Sequence, residues 1–295
     1  MKPMNIKQFF KTYKDDETCL QHIFECRFGD NYPCPKCEKA TTWHRIKAER
    51  AYSCARCGNH LHPTVGTPFE ASRTSLQTWF YVIYLCTQTR HGVSAKEIQR
   101  QTGVTYKTAW RMGHEIREHM TLVDDRDLDQ LRGHVEIDET FMGGKTSNNG
   151  KPGARKGQKV IVLGMMERNG DVVTKVIPSV SNDDILEAVS EALEVGSIVS
   201  TDSRAAYKQL PDMGYQHGSL KHSADEFRSG PHCTNGIEGY WHILKASIAS
   251  THMHVSEEHL HKYLGEFEYR HNNRKKSKDG AGMFPELISV YPDKH

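Results

Sequence analysis

The chain has 295 residues, 37% of them hydrophobic, with 39 Lys and Arg against 37 Asp and Glu for a net charge of +2. That length holds one large domain or two to three small ones with ordinary cores, and no apolar run is long enough to span a bilayer. The opening MKPMNIKQFFKTYKDDE lacks the apolar stretch of a signal peptide, and four of the eight cysteines are scattered, which excludes a disulfide framework and predicts a cytoplasmic protein.

Charge is unevenly placed. Residues 1–120 carry 18 Lys and Arg against 11 Asp and Glu, whereas residues 121–295 carry 21 against 26. A basic front half suits a phosphate backbone, and an acidic back half suits a site that concentrates cations. There is no internal repeat of 20–50 residues and no low-complexity tract.

Cys34-Pro35-Lys36-Cys37 and Cys54-Ala55-Arg56-Cys57 are separated by 16 residues. Each knuckle offers two thiolates, so Cys34, Cys37, Cys54 and Cys57 predict a closed, tetrahedral, structural Zn²⁺ site. The segment between them reads as a hairpin, Thr41 to His44 and Ala51 to Ser53, and Gly58 permits the turn after the second knuckle. His44, His60 and His62 are alternative ligands better read as surface residues. Cys19, Cys26 and Cys86 read as small buried hydrophobes.

An apolar helix is expected around Leu76–Cys86, with Trp79, Phe80, Ile83 and Tyr84 in a core. Ser94-Ala95-Lys96-Glu97 opens a second helix with a capping-box pattern, Gly103 stops it, and Val104-Thr105 restarts a helix through Trp110, Met112 and Ile116. A capped helix, a Gly-containing turn and a longer helix form a helix-turn-helix pattern that would present Tyr106, Lys107 and Arg111 to a DNA groove. An ordinary helical connector fits the same pattern.

Asp124, Asp125, Asp127 and Asp129 read as a polar linker. Beyond it, His134 to Asp138 alternates as a strand, with Val135 and Ile137 on one face and Glu136 and Asp138 on the other. Residues 143–157, rich in Gly, Asn and Lys, read as a mobile, positively charged loop. Lys159–Met166 and Val172–Ile177 are further strands joined by a turn at Asn169-Gly170. Asn182–Val195 reads as an amphipathic helix, and Ser197–Ser200 as a strand ending at Thr201-Asp202. These elements predict a mixed α/β sheet with carboxylates at strand ends.

In the run from Cys233 to Lys245, Ile237, Trp241, Leu244 and Ile248 form an inward stripe on a helix, and Asn235, Glu238, His242 and Lys245 share another face. Asp138, Asp202 and Glu238 are hard oxygen donors, suited to a divalent ion for phosphoryl chemistry. Asn235 and Glu238 also match a capping box, which competes for the Glu238 side chain. Glu139, next to Asp138, is expected on the opposite strand face in a structural role. His259–Asn273 reads as an amphipathic helix running into Arg274, Lys275 and Lys276, a basic end suited to DNA backbone or simply a solvated helix end. Of the 18 histidines only His222 and His242 are placed near the site. No Gly-x-x-x-x-Gly-Lys loop is present, so no nucleotide cofactor is expected.

The ordered segments HVEIDETFMGGK, STDSRAAYKQL, CTNGIEGYWHILKASI and THMHVSEEHLHKYLGEFEYRHNNR resemble the ISXO-like DDE/DDNK transposases of bacterial insertion sequences. The ribbon, the VGTPFE turn, the Trp79-Phe80 helix and the helix-turn-helix resemble that family's N-terminal region in the same order. The resemblance spans roughly residues 15–275. It implies a ribonuclease-H-like catalytic fold preceded by a zinc ribbon and a helix-turn-helix, two Mg²⁺ or Mn²⁺ ions, and cleavage of DNA with transfer of a 3′-hydroxyl. By that resemblance Asp138 and Asp202 are the first two acidic ligands, Asn235 the motif's Asn, Glu238 the acidic position after it, and Lys245 the motif's Lys. The family uses either Asn or Glu as the third ligand, and this chain offers both. Many members read Lys-Arg-Gly after the helix; here the residues are Lys245-Ala246-Ser247, which leaves one basic charge.

The expected organisation is a zinc ribbon with an N-terminal helix over residues 1–70, a helix-turn-helix region over 71–122, a catalytic domain over 133–275 and a tail over 276–295. The expected function is an insertion-sequence transposase in the cytoplasm, on the nucleoid. It would act as a homo-oligomer on element ends carrying terminal inverted repeats and on target DNA. The alternative is a catalytically inactive zinc-ribbon and helix-turn-helix DNA-binding regulator derived from such an enzyme.

Overall fold

The computed structural model of the chain describes residues 4–143, 159–220, 232–252, 255–274 and 282–291. The expected basic loop lies mostly outside these residues, as do His222, Lys275 and Lys276. The chain divides into two units, residues 1–123 with 273–295, and residues 124–272.

The first unit begins with α1 (Ile6–Thr12) and α2 (Asp16–Phe28), each opened by a side-chain cap from Asn5 and Asp15. A small antiparallel sheet follows, β1 (Trp43–Ile46), β2 (Ala51–Cys54) and β3 (His60–Leu61), in the order β1-β2-β3. The third strand adds to the expected hairpin. Phe24 of α2 stacks on Tyr52 of β2 with ring centroids 4.1 Å apart.

Helix α3 (Leu76–Gln88) starts at Ser75, whose hydroxyl accepts from the Thr78 N–H at 3.1 Å. Leu76, Trp79, Phe80 and Ile83 are fully buried, the i, i+3, i+4, i+7 stripe of a core helix. Helix α4 (Ala95–Thr102) is capped by Ser94 and stopped by Gly103 at φ +71°, where a side chain would be strained. Helix α5 (Tyr106–Asp127) then buries Ala109, Met112, Ile116 and Met120. It runs through Asp124, Asp125 and Asp127, so these residues are helical and not a linker. Asp124 is buried, and its Oδ2 accepts from Asn272 Nδ2 at 2.8 Å within the second unit, a partner far along the sequence that local polarity does not reveal. A last short helix, α9 (Met283–Leu287), belongs to the first unit and packs on α3. The Phe284 ring meets Phe9 at 5.7 Å and Tyr84 at 5.6 Å. Cys19 and Cys86 are buried as expected, but Cys26 is exposed, with Sγ 3.5 Å from His22 Nε2.

The second unit is built on five strands: β4 (His134–Met142), β5 (Val160–Glu167), β6 (Val172–Ile177), β7 (Ile198–Asp202) and β8 (Gln216–Leu220). Their order is β6-β5-β4-β7-β8. The first three pair antiparallel, and β4-β7-β8 pair parallel. This is a ribonuclease-H-like mixed sheet. Helix α6 (Asn182–Ala192), shorter than expected by three residues, and a 3₁₀ segment (Ala205–Met213) cover one face over Val135, Ile137, Leu163 and Val199. Helices α7 (Asn235–Ser247) and α8 (Glu257–Asn272) cover the other, burying Ile237, Trp241, Leu244, Leu260 and Leu264 against Val162 and Val172. The strand β8 and the 3₁₀ segment are additional to the sequence expectation.

Candidate functional site

The parallel pairing of β4 with β7 sets the central geometry. Glu136 pairs with Ser200, so two residues further along each strand Asp138 stands beside Asp202 on the same face. Asp138, Glu139 and Asp202 each bring a carboxylate oxygen within 4.8 Å of the others. Burial, then the negative charge of Glu139, Asp202 and Glu238, pushes the Asp138 carboxyl up to about 6. Crowded carboxylates of this kind, with only oxygen donors, fit a hard divalent cation.

Glu139 lies toward Tyr207 on the opposite face, as expected, but its tip also reaches the acidic pair. Its side chain is fully buried beside the Tyr207 hydroxyl, and among the described residues neither carboxylate oxygen has a partner in close hydrogen-bond geometry, yet it joins Asp138 and Asp202. Adjacent residues on a strand point to opposite faces, but at the open end of a twisted sheet the tips of a long and a short acid still converge. The guanidinium of Arg204 bridges the group, with Nε 3.1 Å from Asp202 Oδ2 and 3.6 Å from Glu139 Oε2.

Helix α7 carries the remaining candidates over the sheet. On β5, Gly164 pairs with Asp138, and a Cβ there would stand 2.3 Å from Trp241 Cζ2. The helix therefore sits directly on the strand beside the acidic pair. Its N-cap is Thr234, not Asn235, and it starts one residue earlier than a capping box on Asn235 requires. That shift removes Glu238 from the capping position. The Thr234 hydroxyl instead donates to Glu238 Oε1 at 2.7 Å. The N–H groups of Gly236 and Ile237 go to Glu136 Oε2, at 2.7 and 3.2 Å. Glu238 is charge-coupled to Asp138 but stands outside the group of three. Asn235, His242 and Lys245 are exposed on the same helical face.

Sequence reasoning passed over the polar cluster behind this helix. His134 Nε2 lies 2.7 Å from Ser200 Oγ, which lies 2.9 Å from His232 Nδ1. His134 and Glu136 share the Asp138 face by strand alternation, the one signal available beforehand. Nothing local marked His232 or Arg204.

In the first unit the four knuckle sulfurs converge. Cys34 and Cys57 Sγ are 3.6 Å apart, and Cys37 and Cys54 Sγ are 4.0 Å apart. Sulfurs about 2.3 Å from a tetrahedral zinc stand about 3.8 Å from each other, so the four fit that ion. The two knuckles repeat one backbone pattern: Glu38 and Gly58 both take positive φ and donate to the carbonyls of Cys34 and Cys54. Burial opposes ionisation of Cys54. Hydrogen bonding with the Thr41 hydroxyl and with the Cys57 and Arg56 backbone outweighs it and brings the thiol down to about 6.

On α5, Tyr106 is exposed, with Lys96 Nζ 4.9 Å from its ring centroid, and Lys107 is exposed beside it. Arg111 turns inward. Its guanidinium lies over Trp79 at 5.5 Å, and Nη2 donates to Ser72 Oγ at 3.2 Å. Trp110 is exposed instead, its ring 3.9 Å from that of His114. Arg274 is half-buried.

Residues 130–272 match the model of the ISXO2-like transposase domain, and residues 14–60 match the transposase zinc-ribbon domain. A transposase-like protein of Haemophilus influenzae is 31% identical over 102 residues, 35% of this chain and 81% of that protein. The chain belongs to the ISXO2-like transposase family. A protein in the transposable element ISH50 of Halobacterium salinarum is 24% identical over 278 residues, 88% of this chain and 92% of its own length. Two Mos1 structures, a pre-cleavage transpososome and a strand transfer complex, overlay 72% of this chain and 80% and 79% of theirs. Their identities are 11% and 14% and their TM-scores 0.30 and 0.31, too low to establish a common fold. Within the ISXO2-like family match, Asp138, Asp202 and Glu238 all fall inside the transposase domain. No described helix is long and apolar enough to cross a membrane.

Proposed function

We propose that this transposase cuts and joins DNA with a divalent-metal site of the DDE type, held by Asp138, Asp202 and Glu238. The observation that carries the reading is the register that sets Asp138 beside Asp202, next to the carboxylate of a helix packed on Gly164. Two divalent ions, when bound, would polarise the scissile phosphate and stabilise both the attacking and the leaving oxygen. Asp138 is the central ligand, because the other carboxylates all bear on it. The Thr234 hydroxyl fixes one oxygen of Glu238. Lys245, two turns further along the same exposed face, meets a phosphate as a point charge.

Supporting the DNA-binding part are the basic front half of the chain and the matched zinc ribbon. Cys34, Cys37, Cys54 and Cys57 hold one structural zinc. Helices α4 and α5 form a helix-turn-helix that offers Tyr106, Lys107 and Trp110 to DNA, and Arg274 to Lys276 add backbone contacts. Arg111 braces α5 against Trp79 in place of a groove contact. Element ends and target DNA are the partners, and a homo-oligomer pairs the ends.

The test uses the full chain with the DNA flanking its gene. Mg²⁺-dependent nicking at the element ends, abolished in Asp138→Ala and Asp202→Ala while end binding persists, is the expected result. Specific binding without cleavage by the unaltered protein in Mg²⁺ or Mn²⁺ would return the alternative, a regulator.

A further inference from the structure

We infer that Glu136 is a positioning residue, which fixes the start of α7 and thereby the height of Glu238 above Asp138 and Asp202. The inference rests on the proposed role of Glu238 as a metal ligand.

A helix start leaves N–H groups without partners inside the helix, and a side chain at the N-cap usually takes one of them. In α7 the N-cap Thr234 makes no such bond. Its hydroxyl is turned to Glu238 Oε1. Glu136 supplies the acceptor from another element: one oxygen takes the N–H groups of both Gly236 and Ile237. The Glu136 side chain is 4% exposed. Its other oxygen is met by Cys233 Sγ at 3.3 Å and by Arg168 Nη2 at 3.6 Å. Arg168 in turn donates to Cys233 Sγ at 3.1 Å.

Two features tie this anchor to the site. Glu136 is two residues before Asp138, so both point from the same face of β4. The strand that carries the central acid therefore also grips the helix that carries Glu238. Contact at the helix end is also close, so that a larger residue would displace the Glu136 carboxylate. A Cβ on Gly236 would stand 2.7 Å from Glu136 Oε2 and 3.2 Å from Met166 Sδ. With Glu136 below the first turn and Trp241 on Gly164 below the second, α7 has two fixed points and Glu238 lies between them. A cap made by Thr234 or Asn235 would start the helix equally well but would not reference it to Asp138.

The experiment measures Mn²⁺ binding to the full-length, zinc-loaded protein without DNA, by the electron paramagnetic resonance of free Mn²⁺. The proteins compared are the unaltered chain, Glu136→Gln, Glu238→Gln and the double variant, with circular dichroism as the folding control. Glu136→Gln keeps the shape but replaces one acceptor oxygen with a donor. It should weaken Mn²⁺ binding by fivefold or more, and the double variant should bind within twofold of Glu238→Gln alone, because both changes remove one contribution. Gly236→Ala disturbs the contact from the helix side and should reproduce the loss; it is read in place of Glu136→Gln if that variant does not fold. Unchanged binding in the Glu136 and Gly236 variants, with Glu238→Gln weakened, would overturn the positioning role and leave the metal site standing. Additive losses in the double variant would overturn it too. No effect of Glu238→Gln would instead remove the third-ligand reading on which the inference rests.

Discussion

Gly164 and Trp241 are in direct apposition: the strand glycine opposite Asp138 leaves room for nothing larger than hydrogen beneath the indole of α7. The same helix carries Glu238, Asn235 and Lys245, so on the proposed function this packing contact also sets the site.

Gly164→Ala should therefore lower stability and activity together. Overfilling a packed contact costs about 1–3 kcal/mol, which for a unit of this size lowers the melting temperature by about 2–10 °C. Calorimetry of the single variant and of Gly164→Ala with Trp241→Leu checks this. The double variant should recover part of the loss, because the smaller side chain makes space for the methyl. Equal melting temperatures for Gly164→Ala and the unaltered chain would mean that α7 is not seated on β5 as described.

The ribbon should depend on its ion. Cys54→Ser should drop the zinc content well below one per chain and expose residues 14–60 to rapid amide exchange, since metal binding supplies much of such a module's folding free energy. His62→Ala, at an exposed neighbour of the site, should retain full zinc. Elemental analysis of both decides it.

Much of this was legible in the sequence because the signals were local. The cysteine spacing, the Ser94 and Gly103 helix boundaries, and the alternation through Val135, Ile137 and Asp138 each need only a few neighbouring residues. The misreadings share a different cause. The Asp124 carboxylate looks like linker polarity until Asn272 arrives from the far end of the unit. Asn235 looks like a cap because nothing nearby announces that Glu136, a hundred residues earlier, takes the helix N–H groups. Strand alternation placed Glu139 on the Tyr207 face but does not reveal that its tip converges with Asp138 and Asp202. Arg111 has the position of a groove-reading residue, but its planar cation finds Trp79 first.

Arg204 should compete with metal for the acidic group. Its guanidinium neutralises Asp202 and Glu139, so Arg204→Ala should bind Mn²⁺ several-fold more tightly in the absence of DNA. The gain stays modest because the arginine is 40% exposed and solvent screens it. Weaker Mn²⁺ binding in this variant would show that Arg204 organises the carboxylates rather than competing for them.

A pH effect on stability should arise away from the metal site, at Glu268. Burial, opposed by hydrogen bonds from Thr174 and reinforced by the negative charge of Asp124 and Asp125, raises this carboxyl to about 8. The folded state thus holds a proton that the unfolded chain releases near the ordinary value of about 4.3. The stabilisation is fully present below the unfolded value and is lost as pH rises through about 8. Glu268→Gln, which keeps an uncharged acceptor, should flatten the dependence, with the largest gain over the unaltered chain above pH 8. Denaturant midpoints from pH 6 to 9 test this, and parallel curves for the two proteins would contradict it.

The third ligand is best decided by comparing Glu238 and Asn235. A carboxylate neutralises a divalent ion, whereas an amide oxygen supplies only a dipole. The helix start does not need either residue, because Thr234 is the N-cap and Glu136 takes the free N–H groups. Asn235→Ser should accordingly leave the unfolding free energy within about 0.5 kcal/mol of the original, as expected for an exposed position. Glu238→Gln should fold as well, since the Thr234 hydroxyl can still donate to the amide oxygen, but should cleave DNA ends at least a hundredfold more slowly in Mg²⁺. Raising Mn²⁺ should recover part of that rate if the defect is ion affinity. Rates for both variants across a metal titration separate the possibilities. A well-folded but inactive Asn235→Ser beside an active Glu238→Gln would assign the ligand to Asn235 and leave Glu238 as the hydrogen-bond partner of Thr234.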